Sequence, residues 1–524
     1  MYFRVIIRMA HTGETAIMCI LCAQGNPQDH FGSRRKFLKA AAATGFAATG
    51  VNLFAAQPAA ADHDHDPPRD TGRRGRRYII RGGHVMSMDR AIGDFVEADV
   101  LIEGKTIRAI GPNLRVYGAA HIDARGRIVM PGFIDTHHHQ FETALRSFLA
   151  DGILLPDGTP AGVINYFEYI LQRFAPVYRP QDVYINELFG ALAQLDDGVT
   201  TVHDVSQIHH SPQHSDAAIE GIKHSGRRTA FGYFESAGNV PGNQYPQDAR
   251  RIKNQYFSSS DQLVTMIMGG EIYLPGFEVA WDIGRELGIP VAAHIVGTFG
   301  MAPTFDALAA ANKFRSDNLF IHMTGMSDMS WQKVRDAGAH VSLAVPIEMN
   351  MRHGMPPILK TLSLGIQPSL STDVEVTLTA DFFTQMRSTM NLQRAFVNQM
   401  ILDGTPPADA PPLLTTRDVL RFATIEGARD LRLDHKTGSL TPGKEADIII
   451  LDPTALNVTP LNHVPGAVVS LMERTNVETV IVAGQVRKWK GRLLGVDLRR
   501  LRDQLEDSRD FLFNAAGVPQ DLFR

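Results

Sequence analysis

The sequence predicts an α/β chain, a closed (β/α)8 barrel of the TIM type with a small β-sandwich domain built from both termini. Three observations predict it. Eight short β-rich runs alternate with longer helical stretches through the middle of the chain. Short strands punctuated by glycine turns flank that middle on both sides. Histidines and an aspartate stand at or just past the ends of several of the eight runs, where a parallel barrel concentrates its chemistry.

A chain of 524 residues has room for one large domain and a smaller one. The net charge of −4 excludes a strongly basic nucleic-acid binder. No apolar run outside the N-terminal segment approaches the ~20 residues of a membrane span.

The N-terminal segment has an order of its own. Ser33-Arg34-Arg35-Lys36-Phe37-Leu38-Lys39 precedes a weakly apolar Ala/Gly-rich run over 40–56, which closes at Pro58-Ala59-Ala60-Ala61. This resembles a twin-arginine export signal, which implies the twin-arginine machinery as a partner and a periplasmic or secreted product. The stretch before Arg34 is long for such a signal, which leaves Met9 or Met18 as alternative starts. Removing residues 1–61 takes away both cysteines, Cys19 and Cys22, so the remainder has neither a thiol nucleophile nor a zinc–thiolate site. Residues 62–77 read as a polar linker. Its Asp/His alternation over 62–66 lacks any apolar neighbour to order metal ligands, so a solvated leader is the expectation.

From Tyr78 the texture is strand and turn: Tyr78-Ile79-Ile80 before Gly82-Gly83, Val100-Leu101-Ile102 before Gly104, and 107–110 before Gly111-Pro112. The same texture returns in Asp447-Ile448-Ile449-Ile450-Leu451 and over 477–484. One β domain made of 78–130 and 436–492 follows, with the barrel, 131–435, inserted between its halves and a helical tail over 493–524. The eight expected barrel strands are 133–139, 200–205, 229–235, 263–269, 290–294, 319–322, 340–344 and 367–370.

The richest motif is Pro131-Gly132-Phe133-Ile134-Asp135-Thr136-His137-His138-His139. Residues two apart on a strand share a face, so His137 and His139 can share one metal while His138 points away. His294, His322 and Asp373 end three later runs. A single buried histidine is more often bonded to backbone than to a metal. Five ligand-type residues at the ends of four β-like segments form a different kind of pattern.

These elements resemble the amidohydrolase superfamily, and their order is most similar to its cytosine deaminase and atrazine chlorohydrolase branch. The resemblance spans about 78–492 and includes Ala423-Thr424, Gly427-Ala428 and the run Gly438-Ser439-Leu440-Thr441-Pro442-Gly443-Lys444-Glu445-Ala446-Asp447. It implies one divalent ion, zinc or alternatively iron, on His137, His139, His294 and Asp373. It implies that Asp373 takes a proton from water and passes it to the leaving group, while His322 orients the attacking water or polarises the scissile bond. Two-metal relatives bridge their ions with a carboxylated lysine on the fourth strand. Residues 263–271 contain no lysine, and Glu271 or Glu235 would have to replace it. One metal is the expectation.

The pattern departs from the branch at two places. Ring deaminases carry a glutamate three residues after the fifth-strand histidine, and here His294-Ile295-Val296-Gly297 ends in glycine. The histidine-bearing stretch after the seventh strand is replaced by Val345-Pro346-Ile347-Glu348-Met349-Asn350-Met351. With Met323, Met326, Met329 and Trp331 close in sequence, an apolar, adaptable pocket is expected. The resulting reading is hydrolysis of a non-peptide C–N bond, an amide, carbamate or urea-like group of a small molecule. Ring deamination or dechlorination is the alternative. A non-catalytic binding protein is a third, disfavoured because scaffold relatives lose metal ligands and all five positions stand here. A homo-oligomer is compatible with the sequence, which does not set the oligomeric state.

Overall fold

The computed structural model describes residues 66–158, 163–238 and 240–523. The export signal therefore lies outside the described residues. Five strands come first, β1 (Arg77–Met86), β2 (Asp94–Glu103), β3 (Thr106–Gly111), β4 (Ala120–Asp123) and β5 (Ile128–Pro131). Eight follow in the middle of the chain: β6 (Phe133–His138), β7 (Val199–Ser206), β8 (Arg228–Tyr233), β9 (Val264–Gly269), β10 (Val291–Val296), β11 (Asn318–Thr324), β12 (His340–Leu343) and β13 (Ser369–Leu370). The last are β14 (Ile448–Leu451), β15 (Val477–Val482), β16 (Gln485–Trp489) and β17 (Arg492–Leu493).

Strands β6 to β13 pair in chain order, each parallel to the next. The last gap is nearly closed by backbone rather than by a full ladder. Asp373 N donates to His137 O at 2.9 Å and His139 N donates to Asp373 O at 2.8 Å. Inside the barrel, Ile134, Ala230, Ile267, Ala292 and Leu319 pack with Ala428, Leu431 and Leu433, so the interior is a filled core. Helices connect the strands, and local chemistry sets their ends. Pro180 and Pro212 open the helices Pro180–Asp196 and Pro212–Ser225, where a missing N–H costs nothing. Gly226, at φ +69°, ends the second of these in the left-handed conformation that glycine adopts freely.

The remaining nine strands form one sheet of order β17-β16-β15-β14-β5-β1-β2-β3, with β4 on β1. The two chain ends meet where β14 pairs antiparallel with β5, Ile450 opposite Val129. The expected β domain is thus a single continuous hydrogen-bonded path, and side-chain alternation gives it two faces. Ile448, Ile450, Val129 and Ile481 join Tyr78, Ile80 and Val100 in a core belonging to the sheet. Their neighbours Ile449, Leu451, Met130 and Val480 face the large core shared with the barrel. A buried charge cluster stitches the same seam. Arg228 at the start of β8 donates to Asp447 at 2.7 Å and to Glu445 at 2.6 Å. No helix among the described residues is long and apolar enough to cross a membrane.

Candidate metal centre

Strand β6 is buried along its whole length, and its alternation divides its polar side chains. Asp135 braces the strand against the segment after β13. Its carboxylate accepts from the backbone N–H of His137 (3.1 Å) and Thr372 (3.2 Å) and from the Gln194 amide (2.8 Å). His138 turns to the Thr372 hydroxyl at 3.0 Å, whereas His137 and His139 project to the C-terminal mouth of the barrel.

All five residues singled out in the sequence converge there. Asp373 Oδ1 lies 3.0 Å from His137 Nε2 and 3.5 Å from His139 Nε2, and Oδ2 lies 3.5 Å from His322 Nε2. His294 Nε2 faces His139 Nε2 at 3.3 Å. Two overlapping triads, His137/His139/His294 and His137/His322/Asp373, each keep their ligand atoms within 4.8 Å of one another. Backbone shape contributes to this. His322 and Asp373 have φ +69° and +63°, a region that non-glycine residues occupy only when their surroundings hold them there. A bulge in the β10–β11 ladder, where Ile295 pairs with His322 but Val296 with Thr324, sets the aim of His322.

Two buried carboxylates stand behind the imidazoles. Glu271 Oε1 accepts from His294 Nδ1 at 2.7 Å, and Glu348 Oε1 accepts from His322 Nδ1 at 3.1 Å and from Ala344 N at 2.9 Å. With each Nδ1 proton committed outward, each Nε2 turns a lone pair toward the cluster. Burial pushes His137 and His139 well below the ordinary imidazole range and His322 down to about 4. Burial works to raise Asp373, but His137, His322 and His139 outweigh it and hold the carboxyl well below its ordinary value.

The donor set fits a divalent cation. Facing neutral imidazole nitrogens at 3.3 Å repel unless a proton or a cation lies between them. Asp373 Oδ2 is buried without a hydrogen-bond partner. Three imidazoles and a carboxylate suit a zinc-type ion with a position left for water. Glu271 and Glu235 belong to neither triad. Glu235 is instead hydrogen-bonded to Gln207 Nε2 (2.7 Å) and Tyr273 OH, and burial beside Glu271 pushes it up to about 7.

The cavity over the cluster is walled mainly by Leu154, Leu171, Val296, Phe299, Met301 and Met351. Two expectations are corrected here. Met323, Met326, Met329 and Trp331 do not line it: Met323 and Trp331 are buried in the large core, and Met329, on the helix Asp328–Ala337, is exposed. Nor is the region after the seventh strand without a histidine. His353, two residues past the apolar stretch, lines the cavity with its ring 4.8 Å from that of His322. Glu348 was visible as a lone carboxylate in an apolar run, but nothing in the sequence pairs it with His322. Tyr166 and Tyr273 also line the cavity and carry no sequence signal; each donates its hydroxyl to a buried glutamate, Glu142 and Glu235.

Gly297 directly follows β10 with no room for a side chain. A Cβ there would lie 2.9 Å from Thr324 O and 3.1 Å from Gly325 Cα.

Comparison with known proteins places the fold and the family. The family model for the amidohydrolase family matches residues 128–487. The 5'-deoxyadenosine deaminase of Methanosarcina acetivorans is 25% identical over 463 residues, covering 84% of this chain and 99% of the relative. An adenosine deaminase from Xanthomonas campestris with bound zinc superposes with TM-score 0.72 at 21% identity, over 84% of this chain and all of that one. The atrazine chlorohydrolase of Arthrobacter aurescens, complexed with zinc, has TM-score 0.69 at 21% identity, over 82% of this chain and 100% of its own. At such identities the solved structures establish a shared fold.

Proposed function

This chain belongs to the amidohydrolase family and hydrolyses carbon–nitrogen bonds other than peptide bonds, and from that premise we propose that its substrate is a small neutral amide, carbamate or urea. The observation that carries this reading is Gly297. The position where ring deaminases place a proton-shuttling glutamate is filled by backbone of β11 and its turn. An aromatic ring carbon is a poor electrophile until a ring nitrogen is protonated, whereas a carbonyl needs less help. The cavity lining supports the same substrate class. Among the described residues no lysine or arginine lines it to pair an anion, and tyrosine hydroxyls cap the two nearby glutamates.

His137, His139, His294 and Asp373 would hold one divalent ion, with zinc favoured by this donor set and iron the alternative. When bound, the ion supplies Lewis-acid polarisation and lowers the pKa of water. Asp373 Oδ2 receives the proton of the attacking water and returns it to the leaving nitrogen. His322 Nε2, 3.5 Å away, accepts a hydrogen bond from that water and fixes its direction. Glu348 and Glu271 hold their imidazoles in the required tautomer and orientation.

A second reading, ring deamination or dechlorination in the cytosine deaminase and atrazine chlorohydrolase branch, has one specific observation behind it. Glu235, pushed up to about 7, sits behind Tyr273, and this pair could deliver a proton from the cavity wall. A turnover screen of amides, carbamates and ureas against aminopurines, aminopyrimidines and chlorotriazines, with metal content measured in parallel, separates the readings. Product from the carbonyl compounds alone supports the first. Ammonia release from a ring that disappears in Glu235→Gln supports the second. The Arg34-Arg35 segment further supports twin-arginine export and a periplasmic or secreted enzyme.

A further inference from the structure

We propose that a second cavity, lined by none of the metal-centre residues, binds a small free oxyanion, a carboxylate or phosphate group, on the guanidinium of Arg487. The cavity lies between the helix Pro180–Asp196, strands β16 and β17, and the helix Leu498–Ala515. Its polar lining includes Arg487, Arg500, His224, Tyr184 and Gln504.

Arg487 is built into this place. Its guanidinium lies against Gly226, where a Cβ would come within 2.3 Å of Arg487 Cζ, so only glycine leaves room for it. Among the described residues no carboxylate pairs with its guanidinium, although Asp497 lines the same cavity. Nε is buried without a hydrogen-bond partner, and burial alone acts on the group, pushing its pKa down. Nearby acids are already committed. Asp196 is paired with Lys488 at 2.8 Å, and Asp497 accepts from the backbone N–H of Arg500 at 3.1 Å. His224 Nδ1 and Tyr184 OH are bonded to each other at 2.9 Å. An arginine that merely closes the helix Pro212–Ser225 would hydrogen-bond its last carbonyls, and Arg487 makes no such bond among the described residues. A half-buried cation without a partner is costly, and its planar fork matches a carboxylate or phosphate.

The test is calorimetric titration of inorganic phosphate and of malonate into the full chain, wild type against Arg487→Gln and Arg487→Lys, with unfolding temperatures recorded in anion-free buffer. The expected result is binding of at least one anion with a Kd of about 1 mM or tighter. Binding should weaken about tenfold or more in Arg487→Gln and less in Arg487→Lys, which keeps charge but loses the fork. In anion-free buffer Arg487→Gln should be at least as stable as wild type, because an unpaired buried charge has gone. Phosphate rather than malonate binding would identify a phosphate ligand, and the reverse a carboxylate. Absence of binding by both anions, binding unchanged in Arg487→Gln, or a less stable Arg487→Gln without anion would overturn the proposal, the last by making Arg487 a structural clamp.

Discussion

Glu271 Oε1 lies 2.7 Å from His294 Nδ1 and 3.2 Å from the His294 backbone nitrogen, so one fully buried carboxylate fixes both the ring and the strand that carries it. Such outer carboxylates set the tautomer and basicity of a ligating imidazole. Glu271→Gln should fold normally and bind zinc about 10–100-fold more weakly, as read by competition with a chromogenic chelator. Unchanged affinity would reduce Glu271 to a packing residue.

Arg228 carries the seam between barrel and sheet. Its guanidinium is buried with Asp447 and Glu445, and removing it leaves a buried carboxylate unpaired. Arg228→Ala should therefore cost about 3–5 kcal/mol in urea unfolding at neutral pH. The cluster also gives a pH dependence. Burial works to raise Glu445, but Arg228 and Lys105 outweigh it and hold its carboxyl below 4.5. A group depressed in the folded state stabilises above its unfolded pKa, and that contribution is lost as pH falls through the folded value. The penalty of Arg228→Ala should thus shrink as pH is lowered below the ordinary carboxylate range; a pH-independent penalty would contradict the assignment.

Gly297→Glu tests the missing glutamate by trying to restore it. The new Cβ meets backbone at 2.9 Å, so overpacking should lower stability by about 1–3 kcal/mol and add no ammonia release from aminopurines. A stable variant that deaminates a ring would show that the turn after β11 yields.

The proposed export rests on the pair Arg34-Arg35, which a twin-arginine receptor would read as arginine and not as bulk charge. The double substitution to lysine should leave the protein in the cytoplasmic fraction. Normal secretion of that variant would remove the twin-arginine reading.

Much of this site was legible in the sequence because strand periodicity is strict. His137 and His139 had to share a face, and a histidine or aspartate ending a barrel run had to reach the mouth. What was not legible depends on backbone detail and on long-range approach. The left-handed φ of His322 and Asp373 and the bulge beside His322 have no sequence signature. Closure of the barrel through Asp373 rather than through a long last strand shortened β13 to two residues. Glu271 was identified as a candidate but as a metal bridge, and its position behind His294 follows from how β9 and β10 pack. His353 carries no sequence signal because it lies past an apolar stretch, and only the fold returns it to the cavity.

The most direct test of the central claim is the ratio of kcat/KM for a neutral amide or carbamate to that for a matched aminated ring, measured on metal-loaded wild type. A positioned general acid is worth about 10²–10⁴ in rate, and the cavity has no glutamate at Gly297 to serve a ring nitrogen. The carbonyl compound should therefore be favoured by at least about 10², with Asp373→Asn nearly inactive. A ratio near or below one, with ammonia released from the ring, would contradict the account.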